Sequence, residues 1–344
     1  MFNLFNRVND GKTYIIAEMS ANHAGSFQNA LEIIHAAKEA GADCIKLQTY
    51  TPDTITMDCD NQYFNLSGGT WEGENLYKLY GKAFTPWEWQ GDLKKEAEKI
   101  GIDFLSTPFD KTAVNFLEDI GVEAYKIASF ELVDIPLIEY VATKNKPIIM
   151  STGMGSYEEI EEAVNTIKRF HDQIVLLKCS SAYPAVTQDM NLATMVDMKN
   201  KFGCIVGLSD HSMGAVGAIS AVALGAGVIE KHFCLSRSIE NPDSSFSMEP
   251  EEFSQMVKDI RMAELATGDV KYGCTENEKS SYVCRKSIFV TEDIAAGETF
   301  TEKNIRVIRP GHGLHPREYY NIIGKKAIRD IERGTPMRKE YIND

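Results

Sequence analysis

Short apolar runs that end in polar residues recur along the first two thirds of the chain. Eight of these runs have the length of β-strands. They span residues 13–20, 43–50, 103–109, 124–129, 147–153, 174–180, 205–211 and 227–233. Segments with helical periodicity separate the runs, and strands that alternate with helices in this way predict a parallel sheet.

The intervening segments carry apolar residues three and four positions apart, as amphipathic helices do. In residues 28–40, for example, Leu31, Ile34 and Ala37 would share one helical face, and Gly41 would end the helix. Eight such strand–helix units in one series predict a (β/α)8 TIM barrel, a fold of roughly 250 residues. A doubly wound sheet is the alternative. In a barrel, the polar strand ends would meet at the carboxyl-terminal mouth, where barrel enzymes carry their chemistry.

The pattern changes near Gly273, after which residues 274–283 are polar and are expected to form a linker. The chain would then consist of a barrel domain, residues 1–273, and a small domain, residues 284–344. Within the small domain, Asp-Ile-Ala-Ala-Gly at residues 293–297 is matched by Asp-Ile-Glu-Arg-Gly at residues 330–334. This short repeat predicts two similar units around a pseudo-two-fold axis.

Composition narrows the class of protein. The chain has 344 residues and a formal net charge of −14, which disfavours binding to nucleic acid or to an anionic membrane. No apolar run reaches the length of a membrane span, and residues 1–7 do not resemble a signal peptide. The seven cysteines are scattered and form no Cys-x-x-Cys pair, as is typical of reduced thiols. We therefore expect a cytoplasmic protein.

Two histidines end consecutive predicted strands in the second half of the chain. His211 closes the seventh run and His232 lies in the eighth. If both strands belong to one barrel, both imidazoles can point into the same mouth. Neutral imidazole is the commonest protein ligand of divalent metals, so the pair predicts a metal site. The alternative is one hydrogen-bonded core histidine and one exposed histidine.

Other strand ends would equip the mouth with polar groups. Lys46 and Lys126 each lie between apolar residues, and because a buried lone ammonium is costly, each should have an anionic partner. That partner is either a bound anion or a carboxylate of the protein. Lysines and hydroxyls from several strands suit a phosphate ligand, although no GxxxxGK[ST] motif is present. The candidate groups are Glu18, Lys46, Gln48, Thr107, Lys126, Ser129, Glu131, Ser151, Thr152, Ser181, Tyr183, Ser209 and Asp210.

The connection after the second predicted strand, residues 51–90, is unusually long and rich in aromatic residues. It contains Trp71, Tyr77, Tyr80, Trp87 and Trp89. A long loop on the active face of a barrel is commonly a lid or a specificity element. A small core beneath the loop is the alternative, and it is as well supported for Trp87 and Trp89.

The motifs at the strand ends extend over nearly the whole chain, and together they resemble the motifs of a known family. They include Ala17-Glu18, Asn22-His23, Ile45-Lys46-Leu47-Gln48, Ser151-Thr152-Gly153-Met154, Glu230-Lys231-His232-Phe233, Pro242-Asp243 and Arg309-Pro310-Gly311, together with residues 104–110, 125–129 and 207–211. In this order they resemble the sialic acid synthase family, the phosphoenolpyruvate-condensing synthases of nonulosonic acids. The small domain resembles the antifreeze-like (SAF) domain that follows the barrel in that family.

Within the family, residues 69–73, 85–90 and 128–132 are most similar to the branch that makes pseudaminic acid. One departure concerns Ser181, since N-acetylneuraminate synthases carry Asn at the position two residues before a Tyr, here Tyr183. The alternatives are an N-acetylneuraminate or legionaminic acid synthase and, in another class, a noncatalytic carbohydrate- or ice-binding protein.

The resemblance implies condensation of phosphoenolpyruvate with a diacetamido hexose, 2,4-diacetamido-2,4,6-trideoxy-altrose, and water, releasing phosphate. It implies a divalent metal, Mn²⁺ or Mg²⁺, on His211 and His232, and proton handling by Glu18 or Glu131. It assigns substrate binding to Lys46, Gln48, Thr107, Lys126, Ser129, Ser151, Ser181, Tyr183, Ser209, Asp243 and Arg309. In this family Arg309 comes from the other subunit, which implies a domain-swapped homodimer.

Overall fold

All eight predicted strands of the barrel form and pair in parallel in one sheet. In the computed structural model, which describes residues 2–343, they are β1 (Tyr14–Glu18), β2 (Cys44–Thr49), β3 (Asp103–Pro108), β4 (Tyr125–Ile127), β5 (Ile148–Ser151), β6 (Ile174–Cys179), β7 (Ile205–Asp210) and β8 (Val228–His232). The sheet order is β3-β2-β1-β8-β7-β6-β5-β4, and β3 and β4 lie against each other. Because β1 pairs with β8 and the order follows the sequence, the sheet curls into a near-closed TIM barrel. The predicted fold is confirmed, and the doubly wound alternative, whose strand order reverses, is wrong.

Each strand of the barrel is followed by at least one helix. The helices of this unit are α1 (Leu4–Asn9), α2 (Phe27–Glu39), α3 (Pro52–Ile55), α4 (Leu76–Ala83), α5 (Trp87–Ile100), α6 (Lys111–Asp119), α7 (Ile135–Ala142), α8 (Tyr157–Lys168), α9 (Ala193–Phe202), α10 (Val216–Ala223) and α11 (Pro250–Thr267). Local sequence sets their ends. Ser156 caps α8 through a capping box with Glu159, and Gly101 ends α5 with a left-handed φ of 73°.

Two layers of apolar side chains hold the barrel together. The outward faces of the strands pack against the helices and include Ile45, Ile127 and Ile229. A smaller cluster at the amino-terminal end contains Tyr14 and Val228, and α1 adds its Leu4 to this cluster. Because apolar residues fill that end, the polar inward-facing side chains collect at the opposite end, the mouth at the carboxyl ends of the strands.

The chain divides into two compact units, Met1–Gly268 and Asp269–Asp344. The predicted boundaries at residues 273 and 284 stay a prediction, and the expected linker contains a short helix, α12 (Lys279–Tyr282). The second unit has an antiparallel pair, β9 (Ser287–Val290) with β10 (Ile305–Ile308), and a helix, α13 (Tyr319–Ile322). Its apolar core is separate from that of the barrel.

The predicted repeat of the second unit is visible in its hydrogen bonds. Ile294 and Ile331 exchange backbone bonds of 2.9 and 2.8 Å. The amide of Ala296 donates to Asp330 at 2.7 Å, while the amide of Arg333, at the equivalent position, donates to Asp293 at 2.8 Å. Reciprocal contacts of this kind are what a pseudo-two-fold axis produces.

No helix within residues 2–343 combines the length and the apolar character that crossing a membrane requires.

Candidate active site

Lys46 lies at the centre of a buried charge cluster in the mouth. Its ammonium is 2.8 Å from Glu18 Oε2 and 3.1 Å from Glu230 Oε1, and none of the three side chains is more than 6% exposed. The register explains the contacts, because Glu18 pairs with Lys46 across β1 and β2, and β8, which carries Glu230, flanks β1 on its other side. Of the two partners that the sequence allowed for Lys46, the structure contains the protein carboxylates.

The pKa values of the two carboxylates in this cluster are shifted in opposite directions. Burial raises the pKa of Glu18, and the nearby Lys46 only partly opposes the rise. Burial would also raise the pKa of Glu230, but Lys126 and Lys46 outweigh it and hold that pKa below its usual range. Burial would lower the pKa of Lys46, yet Glu18 and Glu230 raise it. Lys46 and Glu230 are therefore charged at neutral pH, and Glu18 is the carboxylate of the cluster that protonates more readily.

Lys126 is bound less tightly by carboxylates than Lys46. Its ammonium donates to Ser151 Oγ at 2.6 Å and to the carbonyl of Ile127 at 3.0 Å, while Glu230 Oε2 is 3.9 Å away. Burial lowers the pKa of Lys126 to about 8, against the opposing charge of Glu230. Ser209 joins the cluster by donating from its hydroxyl to Glu230 at 3.1 Å. A partly compensated cation beside two hydroxyls can bind an anion.

Hydroxyl groups from three further strand ends lie in the mouth. Ser129 Oγ accepts from the amide of Gly153 at 3.0 Å. A Cβ at Gly153 would lie 2.2 Å from Ser181 Oγ and 2.7 Å from Ser129 Oγ, so only glycine lets both hydroxyls approach this backbone. The buried Thr107 Oγ1 has no hydrogen-bond partner in the structure. A buried polar atom without a partner is typical of a site that awaits a ligand.

His211 and His232 face each other, with ring centroids 5.3 Å apart. Nδ1 of His211 donates to the carbonyl of Ser180 at 2.9 Å, which orients the ring and leaves Nε2 available. Burial and the neighbouring His211 hold the pKa of His232 well below its usual range, and its buried Nδ1 has no hydrogen-bond partner among residues 2–343. The two imidazoles therefore fit the predicted metal. No three His, Cys, Asp or Glu side chains converge as a complete ligand set among residues 2–343, so water or substrate would complete the coordination.

A second ion pair holds the backbone on both sides of His211. Lys231 Nζ donates to Asp210 Oδ2 at 2.8 Å and to the carbonyl of Ser212, and Asp210 Oδ1 accepts from the amide of Ser212 at 2.9 Å. Asp210 was expected in the mouth, but it lies on the opposite face of β7 from Ser209 and points towards the helices. The strand alternation is the reason.

Thr152 was also expected in the mouth, and that expectation is wrong as well. Its hydroxyl donates to the carbonyl of Leu177 at 3.1 Å and lies 3.7 Å from the sulfur of Met198 on α9. The side chain thus lies in the layer between sheet and helices.

Aromatic rings adjoin the histidines. The Tyr183 ring lies 4.2 Å from the His211 ring, and Phe246 lies 5.1 Å from His232. Trp71, from the long connection, packs on both Tyr183 and Phe246. Trp87 instead packs on Phe116 of α6, and Trp89 packs against the main apolar core of the barrel rather than a separate small core beneath the loop.

The remaining candidates surround the charge cluster. Gln48 donates to Glu18 Oε1 at 3.1 Å and to Ser20 Oγ at 2.9 Å. Asp243 accepts from the amide of Ala21 at 3.2 Å, and burial raises its pKa. Burial raises the pKa of Glu131 to about 7, and within the part of the chain that the structure describes its Oε2 has no hydrogen-bond partner. Gln48 thus orients Glu18, whereas Glu131 is poised to exchange a proton near neutral pH.

Arg309 belongs to the second unit and is exposed there. Its predicted role at the mouth of a barrel therefore stays a prediction.

Family models match both units of the chain. Residues 33–272 match the model of the NeuB family, and residues 285–342 match that of the SAF domain. The chain belongs to the NeuB family. The predicted resemblance to the sialic acid synthases and the predicted SAF domain are thereby confirmed.

Individual NeuB relatives align over almost the full length. Pseudaminic acid synthase of Campylobacter jejuni subsp. jejuni serotype O:23/36 is 46% identical, and the alignment covers 96% of each chain. N,N'-diacetyllegionaminic acid synthase of Legionella pneumophila is 36% identical, over 96% of this chain and 94% of that one. The crystal structure of N-acetylneuraminic acid synthetase from Leptospira borgpetersenii superposes with a TM-score of 0.70 at 33% identity, over 78% of this chain and 90% of that one.

Sequence reasoning missed two groups in this NeuB barrel. Glu230 is central to the charge cluster, and its position two residues before His232 on the same strand places it on the same face. That alternation is a signal that could have identified it. Phe246 ends a short 3-10 helix, Ser244–Phe246, between β8 and α11, and no local pattern marks it as a neighbour of His232.

Proposed function

We propose that this chain is a metal-dependent pseudaminic acid synthase. It would condense phosphoenolpyruvate with 2,4-diacetamido-2,4,6-trideoxy-altrose and water, yielding pseudaminic acid and inorganic phosphate. The observation that carries the proposal is a buried, partly compensated Lys126 bonded to Ser151, in the same mouth as the neighbouring rings of His211 and His232. The near full-length similarity to pseudaminic acid synthases, above that to the legionaminic acid synthase, supports this choice of sugar.

Phosphoenolpyruvate would bind at the charge cluster. Lys126 is the stronger candidate for a direct contact, because its nearest carboxylate oxygen is 3.9 Å away. Lys46 is already paired with Glu18 and Glu230, so its charge is partly neutralised before the anion binds. Hydroxyl donors around these lysines would complete the site. They are Thr107, Ser129, Ser151, Ser181 and Ser209.

His211 and His232 would hold a divalent cation, Mn²⁺ or Mg²⁺, since nitrogen ligands completed by oxygen do not select sharply between such metals. When bound, the cation would supply Lewis-acid polarisation of the sugar aldehyde. The hydrogen bond from His211 to Ser180 would keep the ligand nitrogen aimed into the mouth. Tyr183 and Phe246 would exclude water beside the rings.

The reaction joins C3 of phosphoenolpyruvate to the aldehyde carbon. Water then adds at C2 of the former phosphoenolpyruvate, and phosphate leaves with cleavage of its C–O bond. Glu131 is better suited than Glu18 to take the proton of that water, because its pKa is about 7, whereas Glu18 is paired with Lys46 at 2.8 Å. Glu18 is held by Lys46 and Gln48 and would position Lys46.

The sugar site would extend to Gln48, Tyr183, Asp243 and, from a partner subunit, Arg309. Arg309 is exposed in its own unit, and a guanidinium is a rigid donor fork for amide and hydroxyl oxygens. We accordingly propose a domain-swapped homodimer.

The deciding experiment combines phosphate release with mass spectrometry of the products. Purified protein would be given phosphoenolpyruvate, a divalent metal and one acetamido sugar at a time. We expect the mass of pseudaminic acid with the diacetamido altrose. Turnover only with N-acetylmannosamine, or only with the precursor of legionaminic acid, would replace the proposed sugar. No phosphate release with any sugar would favour a noncatalytic carbohydrate-binding protein.

A further inference from the structure

The loop that carries Trp71, residues 66–74, is held in shape by its own backbone. The amide of Leu66 donates to the carbonyl of Glu74, and the amide of Gly73 donates to the carbonyl of Leu66, both at 2.9 Å. An antiparallel bridge between Asn65 and Asn75 closes its base. We call these residues the Trp71 loop. Because the loop is internally hydrogen-bonded, Trp71 is presented by a defined structure.

The Trp71 loop is bound to two other loops of the mouth. The hydroxyl of Thr70 donates to the carbonyl of Tyr183, in the loop after β6. Nε1 of Trp71 donates to the carbonyl of Pro242 at 3.1 Å, in the loop after β8. The indole is half-buried in this position. It is therefore held beside the mouth by hydrogen bonds on two sides.

Three aromatic rings form a continuous apolar surface, which we call the aromatic wall. The Trp71 ring lies 5.3 Å from Tyr183 and 6.4 Å from Phe246, and Tyr183 lies 5.2 Å from Phe246. Tyr183 and Phe246 in turn pack on His211 and His232. Trp71 thus lies one ring further from the histidines than its two neighbours do.

We propose that Trp71 selects the sugar by receiving its apolar C6 methyl end. The inference rests on the proposed function, in which the aldehyde at C1 meets the histidine pair. The opposite end of the open-chain sugar then reaches the outer part of the aromatic wall. Indole and phenyl faces bury a methyl group favourably, but they offer a C6 hydroxyl no hydrogen-bond partner, so a 6-hydroxy sugar is disfavoured.

The test compares two sugars that differ only at C6, the 6-deoxy diacetamido altrose and its 6-hydroxy counterpart. The wild type should favour the 6-deoxy sugar in kcat/KM by about tenfold to a hundredfold, the range of one small apolar group in a hydrophobic pocket. In Trp71→Ala the preference should fall below about threefold, mainly through a higher KM for the 6-deoxy sugar. The KM for phosphoenolpyruvate should stay within about twofold.

Two further variants separate recognition from folding. Trp71→Phe keeps a ring but loses the bond to Pro242, so it should retain part of the preference. Tyr63→Ala removes an aromatic ring that is 80% exposed in the same long connection, and it should leave kcat/KM for both sugars unchanged. If Trp71→Ala does not fold, Trp71→Phe becomes the deciding variant. A preference of Trp71→Phe for the 6-deoxy sugar as large as that of the wild type would then overturn the proposal.

The outcomes distinguish this inference from the function on which it rests. If Trp71→Ala loses activity equally on both sugars, or loses phosphoenolpyruvate affinity to the same degree, the Trp71 loop only closes the site and the specificity role is wrong. If the wild type shows no turnover with the 6-deoxy sugar, the proposed function is wrong, and this inference, which depends on it, is wrong as well.

Discussion

Lys46 and Glu18 form an ion pair of 2.8 Å inside the barrel, with side chains 5% and 1% exposed. The pair lies between neighbouring strands in register, so the barrel itself sets its geometry. Two buried charges stabilise a protein only while each has its partner. Lys46 also lies 3.1 Å from Glu230, so it contacts two buried carboxylates and shares Glu230 with Lys126.

Replacing Lys46 with Met should reduce the free energy of unfolding by about 3–5 kcal/mol at pH 8, because Glu18 and Glu230 are left without this cation. The deficit should shrink towards pH 5, since an unpaired buried carboxylate takes up a proton more readily. Urea unfolding at both pH values measures it. The matched control is Lys178→Met, which removes a half-buried lysine that donates to the carbonyl of Cys179 at 2.8 Å, and this change should cost about 1 kcal/mol. Equal losses in the two variants would contradict the central role of Lys46.

The affinity for phosphoenolpyruvate should fall on the alkaline side because Lys126 loses its proton there. Its pKa of about 8 predicts that kcat/KM for phosphoenolpyruvate declines about tenfold per pH unit above pH 8. Lys126→Arg stays charged throughout this range, so any activity it retains should lack that decline. A wild-type profile flat to pH 10 would exclude Lys126 as the cation that binds the anion.

Glu131 should make the protein less stable as the pH rises. Burial raises its pKa from 4.5 to about 7, so the folded state holds a proton that the unfolded chain releases first. Its contribution is full below about pH 4.5 and is lost as the pH rises through about 7, a change of about 3 kcal/mol at most. Relative to Glu131→Gln, the wild type should therefore lose stability between pH 5 and pH 7.5 in urea unfolding.

A matched substitution serves as control for this pH effect. Glu139→Gln changes a half-exposed carboxylate that pairs with Arg169 at 3.2 Å, and it should alter the free energy of unfolding by less than about 1 kcal/mol. If Glu131→Gln and the wild type keep a constant difference across this pH range, the raised pKa is wrong.

Removing metal should abolish turnover, and Mn²⁺ should restore it. Binding of Mn²⁺ can be followed independently by loss of the free-ion signal in electron paramagnetic resonance. His211→Ala and His232→Ala should each weaken that binding at least about tenfold, as is typical for damage to a metal site. His35→Ala is the control, because His35 is exposed and pairs with Glu96 at 3.0 Å. Unchanged Mn²⁺ affinity in both His211→Ala and His232→Ala would show that these histidines are not metal ligands.

Mixing two inactive variants tests whether Arg309 acts across subunits. Arg309→Ala and His211→Ala would be unfolded together and reassembled, giving heterodimers that contain one intact site if the domains are swapped. Activity should then return to a fraction of the wild-type level. If each Arg309 serves its own barrel, every site keeps one lesion, and confirmed heterodimers stay inactive.

The barrel was predictable because its signals are local. Each strand is a short apolar run, each helix shows its own periodicity, and residues such as Ser156 and Gly101 set helix ends through their immediate neighbours. His211 and His232 could be placed in one mouth for the same reason, since parallel strands share their carboxyl-terminal edge. Strict use of the strand alternation would also have placed Asp210 outside the mouth and Glu230 inside it.

What tertiary structure alone decided is which distant groups touch. The sequence determined that Lys46 needs an anionic partner, but it left both a bound anion and a protein carboxylate open. The register of β1, β2 and β8 selected Glu18 and Glu230, which lie far from each other along the chain. Likewise, the aromatic composition of the long connection was evident, yet only folding brought Trp71 rather than Trp87 or Trp89 onto Tyr183. Such contacts follow from barrel closure and loop docking, which depend on the whole chain and leave no periodic trace in a short segment.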